Sequence, residues 1–194
     1  MPSDNVITIR TPICMLYLVR GNDGYMLVDA GTWGHYWPIR LALWRNGIKP
    51  SEVRCVVATH EHPDHVGVLG KLQAKHGWTV ICHADGVDAI REGRVIIPET
   101  RNRLGRFCAG VGRCIRWLLC FRAMEPDMVV SGDTSLEPFG VAGQLVHTPG
   151  HSEGSMSVVL DSGEAIVGDL MGDRILPAPG PPLFGYSLDV LYES

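Results

Sequence analysis

Short apolar runs alternate with segments of helical spacing along most of the chain. Val6–Ile9, Met15–Arg20 and Tyr25–Asp29 carry the β-branched and aromatic residues of strands, and Gly21-Asn-Asp-Gly24 between the last two is a hairpin signal. Trp33–Asn46 has helical spacing at Trp37, Leu41 and Trp44, and Gly47 is placed to end it. Val53–Ala58 is an apolar strand broken only by Arg54. The pattern then predicts a helix over Pro63–His76 closed by Gly77, a strand over Thr79–Cys82 and a short helix over Ala84–Arg91. Strand patterns return at Gln144–Thr148, Ser155–Leu160 and Ala165–Gly168, with Asp161-Ser-Gly-Glu164 as the last turn. A proline-rich loop follows at Pro177–Pro182, and Tyr186–Ser194 reads as the start of a helix. Strands and helices in this order predict a layered α/β or α+β domain without internal repeats.

Residues 101–122 depart from this pattern. At 100° per residue, Leu104, Phe107, Cys108, Val111, Cys114, Ile115, Leu118 and Leu119 share one helical face, and Arg103, Arg106, Arg113 and Arg116 the opposite one. Gly105, Gly110 and Gly112 weaken it. Two readings fit: a surface helix packed on the core, or a lid whose apolar wall and arginines hold an acyl or anionic substrate. A membrane-surface contact through 101–122 is a third, weaker reading.

Composition narrows the class. The 194 residues are 45% hydrophobic and 20% charged, which suits one globular domain and excludes disorder and coiled coil. A net charge of −4 argues against nucleic acid as a partner. No apolar run approaches the roughly 18 residues of a membrane span. The N-terminus lacks the basic and apolar regions of a signal peptide, so the expected location is cytoplasmic, with the six cysteines reduced. No pair of them is spaced C-x-x-C, which argues against a zinc knuckle.

The chemistry is concentrated in three places. Thr59-His-Glu-His-Pro-Asp-His65 follows the Val53–Ala58 strand and packs imidazoles and a carboxylate, the ligands of borderline divalent metals, into seven residues. Pro63 prevents a regular helix through His60–Asp64, so these side chains fan out from a loop at a strand's carboxyl end. Val146-His-Thr-Pro-Gly-His-Ser-Glu-Gly-Ser155 aims His151 from a tight turn, and Ile166-Val-Gly-Asp169 ends an apolar strand in a carboxylate. Two rival motifs fail. Gly150-His-Ser-Glu-Gly154 fits the serine-hydrolase elbow but precedes a β-rich run, with no later histidine. The zinc-protease pattern H-E-x-x-H needs a histidine where Asp64 stands.

H-x-H-x-D-H, then T-P-G-H-S-x-G-S, then G-D, with Leu27-Val-Asp-Ala-Gly31 upstream, resembles the metallo-β-lactamase fold superfamily of metal-dependent hydrolases. The resemblance implies an αββα sandwich spanning residues 1–194 as one domain, its second half incomplete, with a helical insertion at about 99–125. It implies a first metal site of His60, His62 and His151, and a second using Asp64 and His65 with Asp169 bridging. Asp29 would organise the loops beneath the ligands. His147 would be a hydrogen-bonded support, and His35, His76 and His83 ordinary structural residues. One or two Zn²⁺ ions would acidify a bound water from a pKa of 15.7 towards about 7, with Asp64 orienting the resulting hydroxide and passing a proton to the leaving group.

The superfamily's last motif, a further Pro-Gly-His turn, has no counterpart after His151. The expected account is a truncated or recombined reading frame, which leaves the second ion's site without that histidine. The favoured substrate is a small-molecule ester, thioester or lactone, as in glyoxalase II-like and lactonase relatives. The alternatives are a β-lactam hydrolase of the same fold and a catalytically incompetent binding or scaffold protein. Oligomeric state is not legible.

Overall fold

A computed structural model of the chain describes residues 5–96 and 119–171, with Phe107, Gly110, Val111 and Cys114 between them. Most of the arginine-rich segment 101–122, the proline loop and Tyr186–Ser194 lie outside the described residues.

Two sheets stack face to face. The first runs β1 (Val6–Arg10), β2 (Met15–Arg20), β3 (Tyr25–Val28), β4 (Val53–Val57), β5 (Thr79–His83) and β6 (Met128–Val130), in chain order across the sheet. Its first three strands are antiparallel, and β3 to β6 are parallel. The second sheet is antiparallel, in the order β10 (Ala165–Ile166), β9 (Met156–Leu160), β8 (Gly143–His147), β7 (Thr134–Ser135).

The nearly unbroken apolar strands have a direct cause. A sheet covered on both faces needs apolar side chains in both phases of its alternation. Leu16, Leu18, Leu27, Val56, Val80 and Cys82 enter a core beneath the helices. Val19, Met26, Val28, Cys55, Val57 and Ile81 enter a second core shared with Leu145, Met156, Val158 and Leu160 of the other sheet. Helix α1 (Tyr36–Arg45), α2 (Pro63–Val66), α3 (Leu69–His76) and α4 (Val87–Glu92) cover the outer face of the first sheet. The described residues therefore supply the helix, sheet and sheet layers of the expected sandwich. Cys55 and Cys82 act as small buried hydrophobes, their thiols pushed up to about 12, chiefly by burial.

Three expectations need correction, and two strands went unannounced. Helix α1 buries Tyr36, Ile39 and Leu43, and turns Trp37, Leu41 and Trp44 to solvent. The helix expected over Pro63–His76 is two helices. Its chain turns at Gly67, where a Cβ would lie 2.6 Å from the Gly31 carbonyl oxygen and from Thr32 Cα. Gly67 N–H donates to that carbonyl, so the break docks the chain onto the end of β3 rather than continuing the helix. The strand at Ala165 ends at Ile166, and Asp169 stands in a 3-10 turn, Gly168–Leu170. Finally, β6 and β7 are too short, at three and two residues, to leave a periodic signal.

Candidate metal centre

The site assembles where strands end. Asp29 follows β3, Thr59–His65 follows β4, His151 follows β8 and Asp169 follows β10. Pro63 opens α2 with His62 at its N-cap, so His60 and His62 leave from the loop ahead of the helix while Asp64 and His65 occupy its first turn. The second sheet is tied to this loop by Met156 N–H donating to the Thr59 carbonyl at 2.7 Å.

His60, His62 and His151 converge, one ring nitrogen from each lying within 4.8 Å of the others. His151 Nε2 and His62 Nδ1 are 2.8 Å apart, although 89 residues separate them in sequence. His60, His65 and Asp169 form a second group of the same compactness, sharing His60 with the first. Asp169 stands between the two, Oδ1 3.4 Å from His65 Nε2 and Oδ2 3.7 Å from His151 Nε2. Asp64 sits at the margin, with Oδ2 3.8 Å from His65 Nε2, and belongs to neither compact group.

Hydrogen bonds beneath the site set the tautomers. Asp29 accepts from Thr59 N at 2.8 Å, from Thr59 Oγ1 at 2.9 and 3.0 Å, and from His65 Nδ1 at 2.8 Å. Because the Thr59 hydroxyl proton goes to Asp29, Thr59 Oγ1 accepts from His60 Nδ1, 3.1 Å away. Both rings thus direct Nε2 into the site, where His60 Nε2 is buried without a protein partner and His65 Nε2 faces Asp169 Oδ1 at 3.4 Å. An unpaired buried ring nitrogen is costly unless an ion or water takes it up. That orphaned nitrogen, the compact spacing and the imidazole–carboxylate set all fit a borderline divalent cation.

The electrostatics agree. Burial, followed by the neighbouring imidazoles, pushes the pKa of His60 and His62 well below 6.5, which keeps both neutral. Burial also pushes down on His65, but Asp29, Asp169 and Asp64 outweigh it and hold His65 well above 6.5. Asp169 is likewise opposed by burial, yet His65, His151 and His62 hold its carboxyl well below the usual range. The site therefore gathers negative charge around nitrogen donors, which is where a cation is best compensated.

Several residues escaped the sequence reading. Glu61, between two of the histidines, is buried and accepts from Ser152 Oγ at 2.9 Å, stitching the His60–His65 loop to the His151 turn. Burial raises its pKa. Its position between two histidines at a strand end was the one available signal. Thr59 was visible only as the residue before His60. His83 and His147 stack at 3.9 Å and 12° beside Asp85. The three residues offer ligand atoms within 4.8 Å of one another, and His83 Nε2 is buried without a hydrogen-bond partner. His147 Nε2 also donates to the Glu153 carbonyl at 2.9 Å, consistent with a support role.

A family model for the metallo-beta-lactamase superfamily matches residues 10–193. The chain belongs to the metallo-β-lactamase superfamily. Among curated relatives of this superfamily member, a probable metallo-hydrolase of Mycobacterium tuberculosis is 27% identical over 183 residues, covering 78% of this chain and 53% of the relative. The probable metallo-hydrolase YqgX of Bacillus subtilis is 28% identical over 158 residues, covering 80% and 64%. The chain thus spans between about half and two thirds of the relatives' length. Among solved structures, the FEZ-1 metallo-β-lactamase from Legionella gormanii superposes with a TM-score of 0.68 at 17% identity, over 89% of this chain and 63% of that one. The metallo-β-lactamase SMB-1 gives 0.62 at 24%, over 83% and 58%. These two likenesses are of fold. No helix among the described residues is long and apolar enough to cross a membrane.

Proposed function

We propose that the chain is a metal-dependent hydrolase of small-molecule esters, thioesters or lactones, with zinc as its ion. One observation carries this reading: three buried histidines from two distant loops bring their ring nitrogens within 4.8 Å, with His60 Nε2 left without a protein partner. His60, His62 and His151 would hold a first ion, and Asp64 and His65 a second, with Asp169 between them. A bound divalent ion supplies a water acidified to near neutral pH and a Lewis acid for the scissile carbonyl.

The chain's own residues supply the rest. Asp64, one third exposed at the margin, is placed to orient the water and to hand a proton to the leaving oxygen or sulfur. Asp29 fixes the ring of His65 from beneath. A cleft of about 280 Å³ opens beside His65 and Asp169, walled by Ile13, Met15, Tyr17, Ile166 and Met171. Apolar walls of that size suit a short acyl chain or lactone ring whose carbonyl lies toward the histidines.

The test joins metal content to turnover. The expected result is about one or two zinc per chain, with hydrolysis of a generic ester, thioester or lactone exceeding that of a β-lactam. His60→Ala and His62→Ala should each remove the first-site ion on dialysis. Full metal retention in those variants would refute the ligand assignment. Metal without turnover on any of these substrates would favour a binding protein.

A further inference from the structure

Helix α1 presents an exposed apolar stripe whose one ring contact among the described residues is Trp37 set edge-on to its neighbour Tyr36. Trp37, Leu41 and Trp44 fall within an arc of about 60° on one side, while the buried Tyr36, Ile39 and Leu43 occupy the inward side. Trp37 is 71% exposed, Trp44 76% and Leu41 43%, and Trp33 just before the helix is 63% exposed. Indole is costly to leave in water, and contiguous exposed apolar surface marks an interaction site.

The surroundings of the stripe are positive. Arg40 flanks it on one side of the helical wheel and Arg45 on the other. From α3, Lys71 Nζ lies 4.1 Å and Lys75 Nζ 5.4 Å from the centre of the Tyr36 ring. Residues 33–51 and 65–84, which contain α1 and α3, include no aspartate or glutamate, although the chain as a whole carries −4. Elsewhere Arg54, Arg91 and Arg94 pair with carboxylates. Among the described residues Arg40, Arg45, Lys71 and Lys75 take part in no ion pair.

We propose that the face formed by α1 and α3 docks on an anionic lipid bilayer, its indoles at headgroup level and its four unpaired cations against the lipid phosphates. Tryptophan has an apolar body and one N–H donor, which suits the boundary between acyl chains and headgroups. Exposed tryptophans flanked by arginine and lysine are the composition of a helix that lies in that boundary. A second copy of the chain is the poorer occupant, because it would bring the same positive charge onto this face. The proposal is independent of the hydrolytic reading, since its test measures only binding.

The experiment mixes the full chain with phosphatidylglycerol-containing vesicles and, separately, with phosphatidylcholine vesicles. The expected result is sedimentation with the anionic vesicles only, a blue shift of tryptophan emission, and reversal by salt. The triple variant R40Q/K71Q/K75Q should bind about 100-fold more weakly. Trp37→Ala with Trp44→Ala should abolish binding while leaving the urea midpoint unchanged, because both side chains are exposed. Failure to bind anionic vesicles, equal binding to neutral ones, or a dimer dissolved by the tryptophan substitutions would each overturn the proposal.

Discussion

Asp29 Oδ2 accepts a 2.8 Å hydrogen bond from His65 Nδ1, and the same carboxylate takes the N–H and hydroxyl of Thr59. The two residues stand 36 positions apart, and both are buried. Asp29 also has a φ of 62°, in the left-handed region that aspartate tolerates better than most side chains. The end of β3 is thus bent to bring one carboxylate under two of the histidines.

Replacing that carboxylate should weaken the site from below. Asp29→Asn keeps the size but loses the charge, and His65 loses an oriented acceptor. We expect metal affinity to fall about 10- to 100-fold, read by competition with a chromophoric chelator. An unchanged affinity would remove Asp29 from the site.

The contact between the two histidine loops should appear in stability. Ser152→Ala leaves the buried Glu61 carboxyl without its Ser152 donor, at an expected cost of about 1–3 kcal/mol. Gly154→Ala puts a methyl group 2.7 Å from the backbone nitrogen of Gly86. The overpacking should cost another ~1–3 kcal/mol. Urea denaturation of metal-free protein measures both, and losses below about 0.5 kcal/mol, the ordinary range of surface substitutions, would contradict the packing.

Acid should destabilise the metal-free protein. Burial lowers the pKa of His35, His60, His62 and His83 from 6.5, with neighbouring imidazoles adding to it for the last three. The unfolded chain then takes up protons first as pH falls below about 6.5, so stability present above that value is lost on descending toward the folded-state values. His65 acts in the opposite sense. Its raised pKa contributes stability that is complete below about 6.5 and lost as pH rises through the folded value. Burial also lowers the pKa of His76 and raises that of Glu61, which acts with His65; five lowered imidazoles oppose these two groups, so the unfolding temperature in chelator should drop from pH ~7.5 to ~5.5. His60→Asn should flatten the slope; a melting temperature that rises with acid would refute the assignment.

The cleft should read acyl length. Ile13 and Met171 are 56% and 52% exposed at its mouth, so either can be changed without opening the core. Ile13→Asp should raise KM several-fold for longer acyl esters and leave kcat for acetate esters nearly unchanged, since it removes ground-state contact only. Equal losses in kcat across all chain lengths would place Ile13 in the chemistry instead.

Much of this was legible along the chain. Apolar runs marked the central strands because a sheet between two cores must be apolar in both phases. Imidazoles at strand ends marked the site because ligand chemistry is carried by residue type. The resemblance to the superfamily added which distant segments meet. It assigns Asp64 and His65 to the second ion, and in the structure Asp64 Oδ2 lies 3.8 Å from His65 Nε2. Glu61 escaped because nothing in its neighbours announces that it will be buried against Ser152.

The amino-acid order alone determined the residue types available to hold an ion and the loops that carry them. Only the tertiary structure decided how those loops are braced and which surfaces remain open. Helix α1 shows why. Its two apolar sets, Tyr36/Ile39/Leu43 and Trp37/Leu41/Trp44, satisfy the same 3.6-residue period, so periodicity cannot choose between them. The choice belongs to the shape of the sheet beneath, which accepts a tyrosine, an isoleucine and a leucine and leaves the indoles outside.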